Sequence, residues 1–510
     1  MTAHFQTIAR DQLYLIKTTL EEEIPKNHQV RFFIESIKKL NLKESDFQIN
    51  HKGHGIHQYP PEMMLTLLLF CYANRVFSSR KIEQATYDYL PVRYITGGLH
   101  PDDRTIALFR ERNIDLFEKT MLDILKLAKK LNLLSLCEVS LDSSQFKANA
   151  ATSKNYRIEA AIEEEKYLQG VIDGLLEQAK QADQTPVNAT LPEGLLDPKE
   201  RDAKLKKAVE ELKRVQRSRE ALDQRAKEDK QKITREYDEK VERRKKRIEE
   251  GGCKGPELKK PSEELEYDPY WQGNSTDPDS RVLVKLHKRG NAIQGFNVQT
   301  IADNDSRLIV TTKVTNNGSD GGQLLPMIEK LESEMGAPTT VMSDQGYTCS
   351  AQMQELENRG VNILIPVARE VPYDKHAYRN ADQTLPENLA EETSDSDSPN
   401  APPPPGSSAS CPVKLKKRRQ DKLPKKTKKP KPPEVKDPYL QRKRDEMKQP
   451  EMKKRFKRRS STIEPIFGIL KNAMGFRQFL LRGLEKVQAE MDIIASAYNL
   501  RRLYVLSQGN

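Results

Sequence analysis

The sequence predicts an α+β protein of several domains, in which a helical N-terminal domain precedes an α/β core. Three observations support this class: helical periodicity dominates the first 135 residues, strand patterns begin near residue 136, and two polar stretches interrupt the strand-bearing part. The predicted parts are a helical N-terminal domain (1–135), the first strand of the core (136–155), an inserted helical hairpin (156–268), the core (269–370), a low-complexity basic insertion (371–459) and C-terminal core helices (460–510).

The composition favours a polyanionic partner. The 510 residues are 32% charged and carry a formal net charge of +11, with a sequence pI of about 9.1. Such a surplus of basic residues favours nucleic acid before a membrane surface. The longest apolar run, 63–73, is too short to span a bilayer and is expected to form a buried core helix. The five cysteines lie far apart without a CxxC pair, which fits a reducing cytosol.

The N-terminal domain is predicted from four amphipathic stretches, at 32–40, 61–77, 79–90 and 104–131. Short helices with exposed arginines and lysines suit a helix-turn-helix-like DNA binder. A helical bundle whose charges are only solvated explains the same pattern equally well. The residues alone leave both interpretations open.

The strand patterns predict an α/β core. "LCEVSLDSS" (136–144) is interpreted as a strand that ends at Asp142. Two runs within 294–315, separated by Asn304 and Asp305, predict a hairpin. A helix (323–335), a strand (339–347), a helix (350–359) and a strand (361–368) are predicted to follow.

Two insertions are predicted within this core. Residues 156–250 place apolar side chains three, four or seven apart, which suggests a two-helix coiled-coil hairpin. A partly disordered charged linker is the alternative, because the apolar seam is thin. In the second insertion, 394–410 is rich in Ser, Pro and Asp, and 412–459 carries 22 Lys and Arg against 6 Asp and Glu, so we predict a disordered or loosely ordered basic insertion.

The stretch 460–483, "SSTIEPIFGILKNAMGFRQFLLRG", is predicted to begin a helix. Thr462 can cap its first turn and Pro465 is tolerated there, which places Glu464 at the N-terminus of the helix. An acid at this position complements the helix dipole, and for an isolated helix that structural interpretation is the simpler one.

Glu464 is one of three acids in a shared setting. Asp142 and Asp344 are each expected at the end of a core strand, where ligands of α/β sheets collect. Converging carboxylates without His or Cys suit Mg²⁺, and two such ions about 4 Å apart can activate a water or a 3′-hydroxyl in phosphodiester cleavage. Each acid alone fits a strand end or helix cap, but their joint placement favours a functional site.

The order of these elements resembles the ribonuclease H-like catalytic core of DDE transposases of bacterial insertion sequences, over nearly the whole chain. Seven blocks carry the resemblance: "HPDDRTIALFRERN" (100–113), "SLDSSQFKANA" (140–150), "NSTDPDSR" (274–281), "GFNVQT" (295–300), "VTNNGSDGGQLLPM" (314–327), "SDQGY" (343–347) and "IEPIFGILKNAMGFRQFLLRG" (463–483). The resemblance implies that Asp142, Asp344 and Glu464 are catalytic and bind Mg²⁺ or Mn²⁺, and that DNA is the partner.

The resemblance also implies basic residues around Glu464. Lys471, seven positions after Glu464, matches the family's phosphate-contacting residue, whereas Arg459 lies five residues before Glu464 where the family has four. The family's tyrosine has no counterpart, since the nearest aromatic residue is Phe456. The candidate DNA-binding residues are Lys471, Arg459, Arg477, Arg482, Lys147 and Arg281.

The expected function is that of a transposase that binds the terminal inverted repeats of an insertion sequence and catalyses metal-dependent strand cleavage and strand transfer. The alternative is a catalytically inactive, transposase-derived DNA-binding or regulatory protein. We expect a homodimer in the active complex and a location in the bacterial cytoplasm, associated with the nucleoid. No GKS or GKT follows "GNAIQG" (290–295), so no P-loop and no ATP are expected.

Overall fold

The computed structural model describes residues 19–48, 58–183, 197–249, 258–262, 264–268, 271–284, 292–367 and 437–508. Its N-terminal part is helical, as predicted. The helices are α1 (Leu20–Glu23), α2 (Gln29–Lys38), α3 (Pro61–Ala73), α4 (Ser79–Asp88), α5 (Leu90–Thr96), α6 (Asp103–Arg112) and α7 (Ile114–Lys130). The leucine-rich α3 is buried on nearly all sides, as expected from its uninterrupted apolar run. Within the described ranges, no helix has the length and apolar character needed to cross a membrane.

A six-stranded mixed sheet forms the centre of the core. Its strands are β1 (Glu138–Lys147), β4 (Arg281–Val284), β5 (Ala292–Asp303), β6 (Ile309–Thr315), β7 (Thr340–Met342) and β8 (Asn362–Leu364). β5 pairs antiparallel with β1 on one side and with β4 and β6 on the other. β7 lies parallel between β1 and β8.

The predicted end of the first strand is wrong. β1 continues for five residues beyond Asp142, because β5 pairs with it as far as Lys147. On its other side, the pairing with β7 stops at Ser140 and Met342. Asp142 therefore lies within β1, two residues beyond the point where the pairing with β7 ends and where β5 is still paired.

The remaining core elements confirm the predicted order. The hairpin of β5 and β6 turns at Asn304 and Asp305, and α10 (Leu324–Met335), β7, α11 (Ser350–Asn358) and β8 follow. β4 was not predicted, because the preceding "NSTDPDSR" is typical of a turn and only four residues of strand follow it.

Two long helices, α8 (Ile158–Asp183) and α9 (Pro198–Glu249), follow β1 in the chain and pack against each other. Their contact buries a small apolar cluster that includes Leu168, Leu212 and Val215 and is separate from the main core. The short strands β2 (Asn155–Tyr156) and β3 (Gly273–Asn274) pair antiparallel at the two ends of this segment. The chain thus leaves and re-enters the core at one place.

The helix that carries Glu464 begins earlier than predicted. After α12 (Pro438–Glu446), α13 runs from Pro450 to Gly468 and passes into a π-helical turn, Ile469–Ala473. Thr462 is therefore not a cap: it lies inside α13 and donates a hydrogen bond to the carbonyl oxygen of Arg458. The lysines and arginines of 453–459 are good helix formers, and Pro450 fits the first turn. The predicted disorder is thus wrong for 438–446 and 450–459, whereas 371–436 lies outside the described residues.

The N-terminal helices and the sheet share one hydrophobic core. The last helix, α14 (Leu484–Gln508), contacts α3, α7 and β6. Within this core, Arg110 donates to the Tyr72 hydroxyl at 2.8 Å, and the carboxylate of buried Glu490 accepts from the N–H groups of Leu480 and Leu481 at 2.9 and 3.0 Å. The Tyr72 hydroxyl also donates to Glu490 Oε1 at 3.5 Å, which links the N-terminal helices through Glu490 to the loop that follows the Glu464 helix.

Candidate active site

Asp142 and Asp344 lie next to each other because β1 and β7 are parallel neighbours. The pairing of Ser140 with Met342 puts the two acids two residues further along each chain. Asp142 Oδ1 accepts from the N–H of Ser143 at 2.8 Å, and Asp344 Oδ1 accepts from the N–H of Gly346 at 2.9 Å. Local backbone donors therefore fix both carboxylates at the carboxyl end of β7.

Helix α13 lies across this pair and is held to β1 by ion pairs. Arg455 and Arg458 contact the Glu138 carboxylate at 2.8 and 2.9 Å, at the start of β1. Further along the helix, Arg459 Nη2 lies 2.8 Å from Asp142 Oδ2. The Arg459 side chain is only 10% exposed, so this contact is shielded from solvent.

Arg459 lies between Glu464 and Asp142 and contacts both side chains. Glu464 Oε1 lies 4.0 Å from Arg459 Nη1, and the Glu464 side chain is 60% exposed, against 17% for Asp142. Five residues of α-helix correspond to a rotation of about 140°, so Arg459 and Glu464 leave the helix in different directions, and in this structure it is Arg459 that contacts Asp142. Among the described residues, no three His, Cys, Asp or Glu side chains are grouped so that they could hold a metal ion.

Burial raises the pKa values of the Asp142 and Asp344 carboxyl groups. Burial raises the pKa of Asp142 to about 6, opposed by the positive charge of Arg459 and assisted by the charges of Asp344 and Asp320. Burial likewise raises the pKa of Asp344, again opposed by Arg459 and assisted by Asp320. Buried acids that repel each other gain from an added cation, because it removes the repulsion and replaces lost hydration.

The donor set at Asp142 and Asp344 fits a divalent cation with a preference for oxygen ligands. Both ligands are carboxylates, and Arg459 already places one positive charge between Asp142 and Glu464. Two carboxylates and several waters are a usual set for Mg²⁺. Glu464 can join this set only if the Arg459 guanidinium moves aside.

Asp320 is a fourth acid near this site, and sequence reasoning did not single it out. It lies in the loop between β6 and α10, where its Oδ1 accepts from Asn297 Nδ2 at 3.1 Å and from Gln299 Nε2 at 2.8 Å. The Tyr347 hydroxyl donates to Gln299 Oε1 and extends the network towards Asp344. The only sequence signal was its presence within the quoted block 314–327, since a loop acid has no periodicity to mark it.

A basic groove lies beside the site. Lys471 Nζ donates to Ser144 Oγ at 2.5 Å and to the carbonyl oxygen of Gln145 at 2.7 Å, and lies 4.4 Å from the centre of the Phe146 ring. A cavity of about 320 Å³ there is lined by Gln145, Lys147, Ile293, Phe467, Gly468, Lys471, Asn472 and Arg477. The structure therefore brings together Lys147, Lys471 and Arg477 of the six predicted DNA-binding residues.

The other predicted DNA-binding residues lie apart from this groove. Arg459 faces Asp142, Arg482 Nε donates to the carbonyl oxygen of Asn149 at 3.1 Å, and Arg281 Nη1 donates to that of Ser280 at 3.0 Å. The neighbouring Asp277 and Asp279 accept from the N–H groups of Gly483 and Leu484 at 3.2 and 2.8 Å. The block "NSTDPDSR" therefore anchors the start of α14.

Comparison with known families gives two matches. The family model described as "Transposase DDE domain" matches residues 271–500, and the model described as "Transposase domain (DUF772)" matches residues 18–112. Together they cover five of the six strands of the sheet, the Glu464 helix and most of the N-terminal helices, whereas β1, which carries Asp142, lies between the two matched ranges. No curated protein and no solved structure matches the chain significantly.

Proposed function

The chain belongs to the DDE transposases of insertion sequences, and from this premise we propose that it cleaves and joins DNA at the ends of its element. DDE transposases act on DNA and generally use divalent metals. We propose that Asp142, Asp344 and Glu464 are the catalytic acids. The observation that supports this most strongly is the adjacency of Asp142 and Asp344 beneath a helix that also carries Glu464.

In the proposed mechanism, the chain's own residues hold and orient the reacting groups. Bound Mg²⁺ or Mn²⁺ would activate the attacking water or 3′-hydroxyl and stabilise the leaving oxygen. Asp142 and Asp344 would hold the ion, and Glu464 would complete the set if the Arg459 guanidinium moved from between them. Arg459, released from Asp142, is then available to a DNA phosphate, which a guanidinium binds through two hydrogen bonds.

The basic groove is the proposed path of the DNA backbone. Lys147, Lys471 and Arg477 converge on it from β1 and from the segment that follows the Glu464 helix. Phosphate contacts of this kind position a duplex without reading its sequence. We further propose that Arg281 and Arg482 contact DNA outside the groove and that the N-terminal domain binds the terminal inverted repeats.

Neutralising the groove is expected to weaken DNA binding and its salt dependence. Each of Lys147→Gln, Lys471→Gln and Arg477→Gln should lower the slope of log K against log salt by about 1. Fluorescence anisotropy with a labelled duplex at several salt concentrations measures this slope. Arg359→Gln, which removes one positive charge at the end of α11, where Arg359 pairs with Glu329 and Glu355, is the matched control. A slope unchanged in the triple variant would exclude the groove as a DNA contact.

The binding of Mg²⁺ is expected to depend on pH. Burial raises the pKa of Asp142 to about 6, and a carboxylate must lose its proton before it binds a metal. The half-saturating Mg²⁺ concentration should therefore fall, by up to about tenfold per pH unit, as the pH rises from about 5 to about 6, and level off above about 7. The half-saturating Mg²⁺ concentration is measured from the melting temperature at increasing Mg²⁺ concentrations and fixed ionic strength. Equal half-saturation at both ends of this range would contradict the assignment of Asp142 as a ligand.

Cleavage of DNA carrying the two ends of the source element tests the function directly. The proposal expects Mg²⁺-dependent nicking at the ends and joining of the 3′-hydroxyl ends to a target, without ATP. The alternative is an inactive, transposase-derived DNA-binding regulator, favoured by the shifted spacing between Arg459 and Glu464. Specific binding of the ends without cleavage in Mg²⁺ or Mn²⁺ would support that alternative. We also propose a homodimer in the active complex, an inserted hairpin that serves assembly, and a cytoplasmic, nucleoid-associated location.

A further inference from the structure

Asp320 is placed to act on the same metal site. Two buried amides fix its carboxylate: Asn297 is 2% exposed, Gln299 is 0% exposed, and both donate to Asp320 Oδ1. Both amides belong to β5, the strand paired with β1. Two buried amide donors hold the Asp320 carboxylate in one defined position, which is unusual for a carboxylate in a loop.

Asp320 and Asp344 flank the same glycine. A Cβ atom added to Gly346 would lie 3.0 Å from Asp344 Oδ1 and 3.6 Å from Asp320 Oδ2. The space between the two carboxylates is therefore kept open by the missing side chain of Gly346.

Asp320 approaches the site from the sheet face opposite α13. Thr300 is the register partner of Asp142, and Asn297 and Gln299 lie an odd number of residues from it along β5. Side chains alternate between the faces of a strand, so these amides and Asp320 lie on the other face. Because β7 has ended at Met342, no paired strand separates the two faces beside Asp142 on that side.

A buried oxygen beside Asp320 lacks a donor. Asn297 uses its Nδ2 for Asp320, and its Oδ1 is buried without a hydrogen-bond partner within the described structure. An orphaned carbonyl oxygen costs free energy unless a donor arrives. A water bound to a cation is such a donor, and Mg²⁺ in proteins usually keeps several waters.

We propose that Asp320 and Asn297 bind the water shell of the cation held by Asp142 and Asp344, and so form a further, water-mediated part of the metal site. This inference rests on the proposed function. It agrees with the spacing of the acids, since no three of the described acidic side chains are close enough to ligate one ion directly. The charges also balance. The carboxylates of Asp142, Asp344 and Asp320 together with the Arg459 guanidinium carry two net negative charges, which one divalent cation neutralises.

The variant Asp320→Asn tests the proposal, because its amide oxygen can still accept from Asn297 and Gln299 while the charge is lost. The readout is the Mg²⁺-induced rise in melting temperature of the full, DNA-free chain. We expect the half-saturating Mg²⁺ concentration to increase by about tenfold, the usual effect of losing an outer partner of a metal site. Asp305→Asn is the control, because Asp305 is 57% exposed and pairs with Arg458, which keeps Glu138.

The experiment separates the inference from the proposed function. If Asp320→Asn and the unchanged chain have the same half-saturating Mg²⁺ concentration, this inference is wrong and the proposed function still stands. If the unchanged chain shows no response to Mg²⁺, Mn²⁺ or Fe²⁺, the proposed function and the inference both fail.

A second measurement needs no variant and so remains valid if Asp320→Asn does not fold. Fe²⁺ with ascorbate and peroxide, added in place of Mg²⁺, generates radicals that cut the backbone close to the bound ion. Cuts near residues 142 and 344 accompanied by a cut at 318–322 are expected. Cuts at 142 and 344 alone would overturn the inference.

Discussion

Alanine substitution of Asp142, Asp344 or Glu464 is expected to lower Mg²⁺-dependent cleavage of end DNA by about a thousandfold or more. Each change removes one of the few carboxylates that position the metal. DNA binding should persist, because lysine and arginine contacts with phosphate supply most of the affinity. Cleavage of a labelled duplex and anisotropy on the same duplex measure the two effects separately.

Asp305→Ala is the matched control for this series. It removes an exposed carboxylate in the turn between β5 and β6, away from Asp142 along β1. Cleavage by this variant should equal that of the unchanged chain. Full cleavage by any one of the three site variants would remove that residue from the proposed catalytic set, and a loss of binding equal to the loss of cleavage would point to misfolding.

Without DNA, the three alanine variants should differ in the Mg²⁺-induced rise in melting temperature. Asp142 and Asp344 are adjacent and largely buried, so alanine at either should abolish the Mg²⁺-induced rise in melting temperature. Glu464 is 60% exposed and separated from them by Arg459. Its alanine variant should therefore keep much of that rise, although its cleavage is lost.

The sequence predicted the elements whose pattern is local. Two strand-forming runs separated by Asn304 and Asp305 marked the hairpin of β5 and β6, and the order of strands and helices singled out Asp142 and Asp344, although Asp142 lies inside β1 rather than at its end. The end of β1 could not be predicted, because it is decided by pairing with β5, more than 100 residues further along the chain.

The start of α13 and the position of Asp320 near the site could not be predicted from the sequence, for different reasons. The basic stretch before Glu464 has the composition of a disordered segment, yet Arg455 and Arg458 pair with Glu138, which orders it as a helix. Asp320 depends on side chains of β5 that are distant in sequence. In both cases the deciding partner lies on another element, and a single sequence does not identify such partners.

Replacing residues 157–272 by a Gly/Ser linker of about four residues is expected to preserve the core and to abolish assembly on paired DNA ends. Tyr156 pairs with Gly273 in β2 and β3, so a short turn can join them. The helices α8 and α9 bury their own apolar cluster, separate from the main core. The ion pair of Lys154 with Glu211 is partly exposed, and such pairs contribute about 0–1 kcal/mol.

Circular dichroism and thermal melting show whether the shortened chain folds, and native gel electrophoresis with two labelled ends shows whether it assembles. Leu212→Asp, which disrupts the contact of α8 with α9 without shortening the chain, should give the same assembly defect with the same intact core. The contact of Arg225 with the Trp271 ring, 4.2 Å from its centre, lies within the replaced segment and is lost with it. A cooperative melt with normal paired-end assembly would show that the hairpin is dispensable, whereas loss of the cooperative melt would make it part of the core.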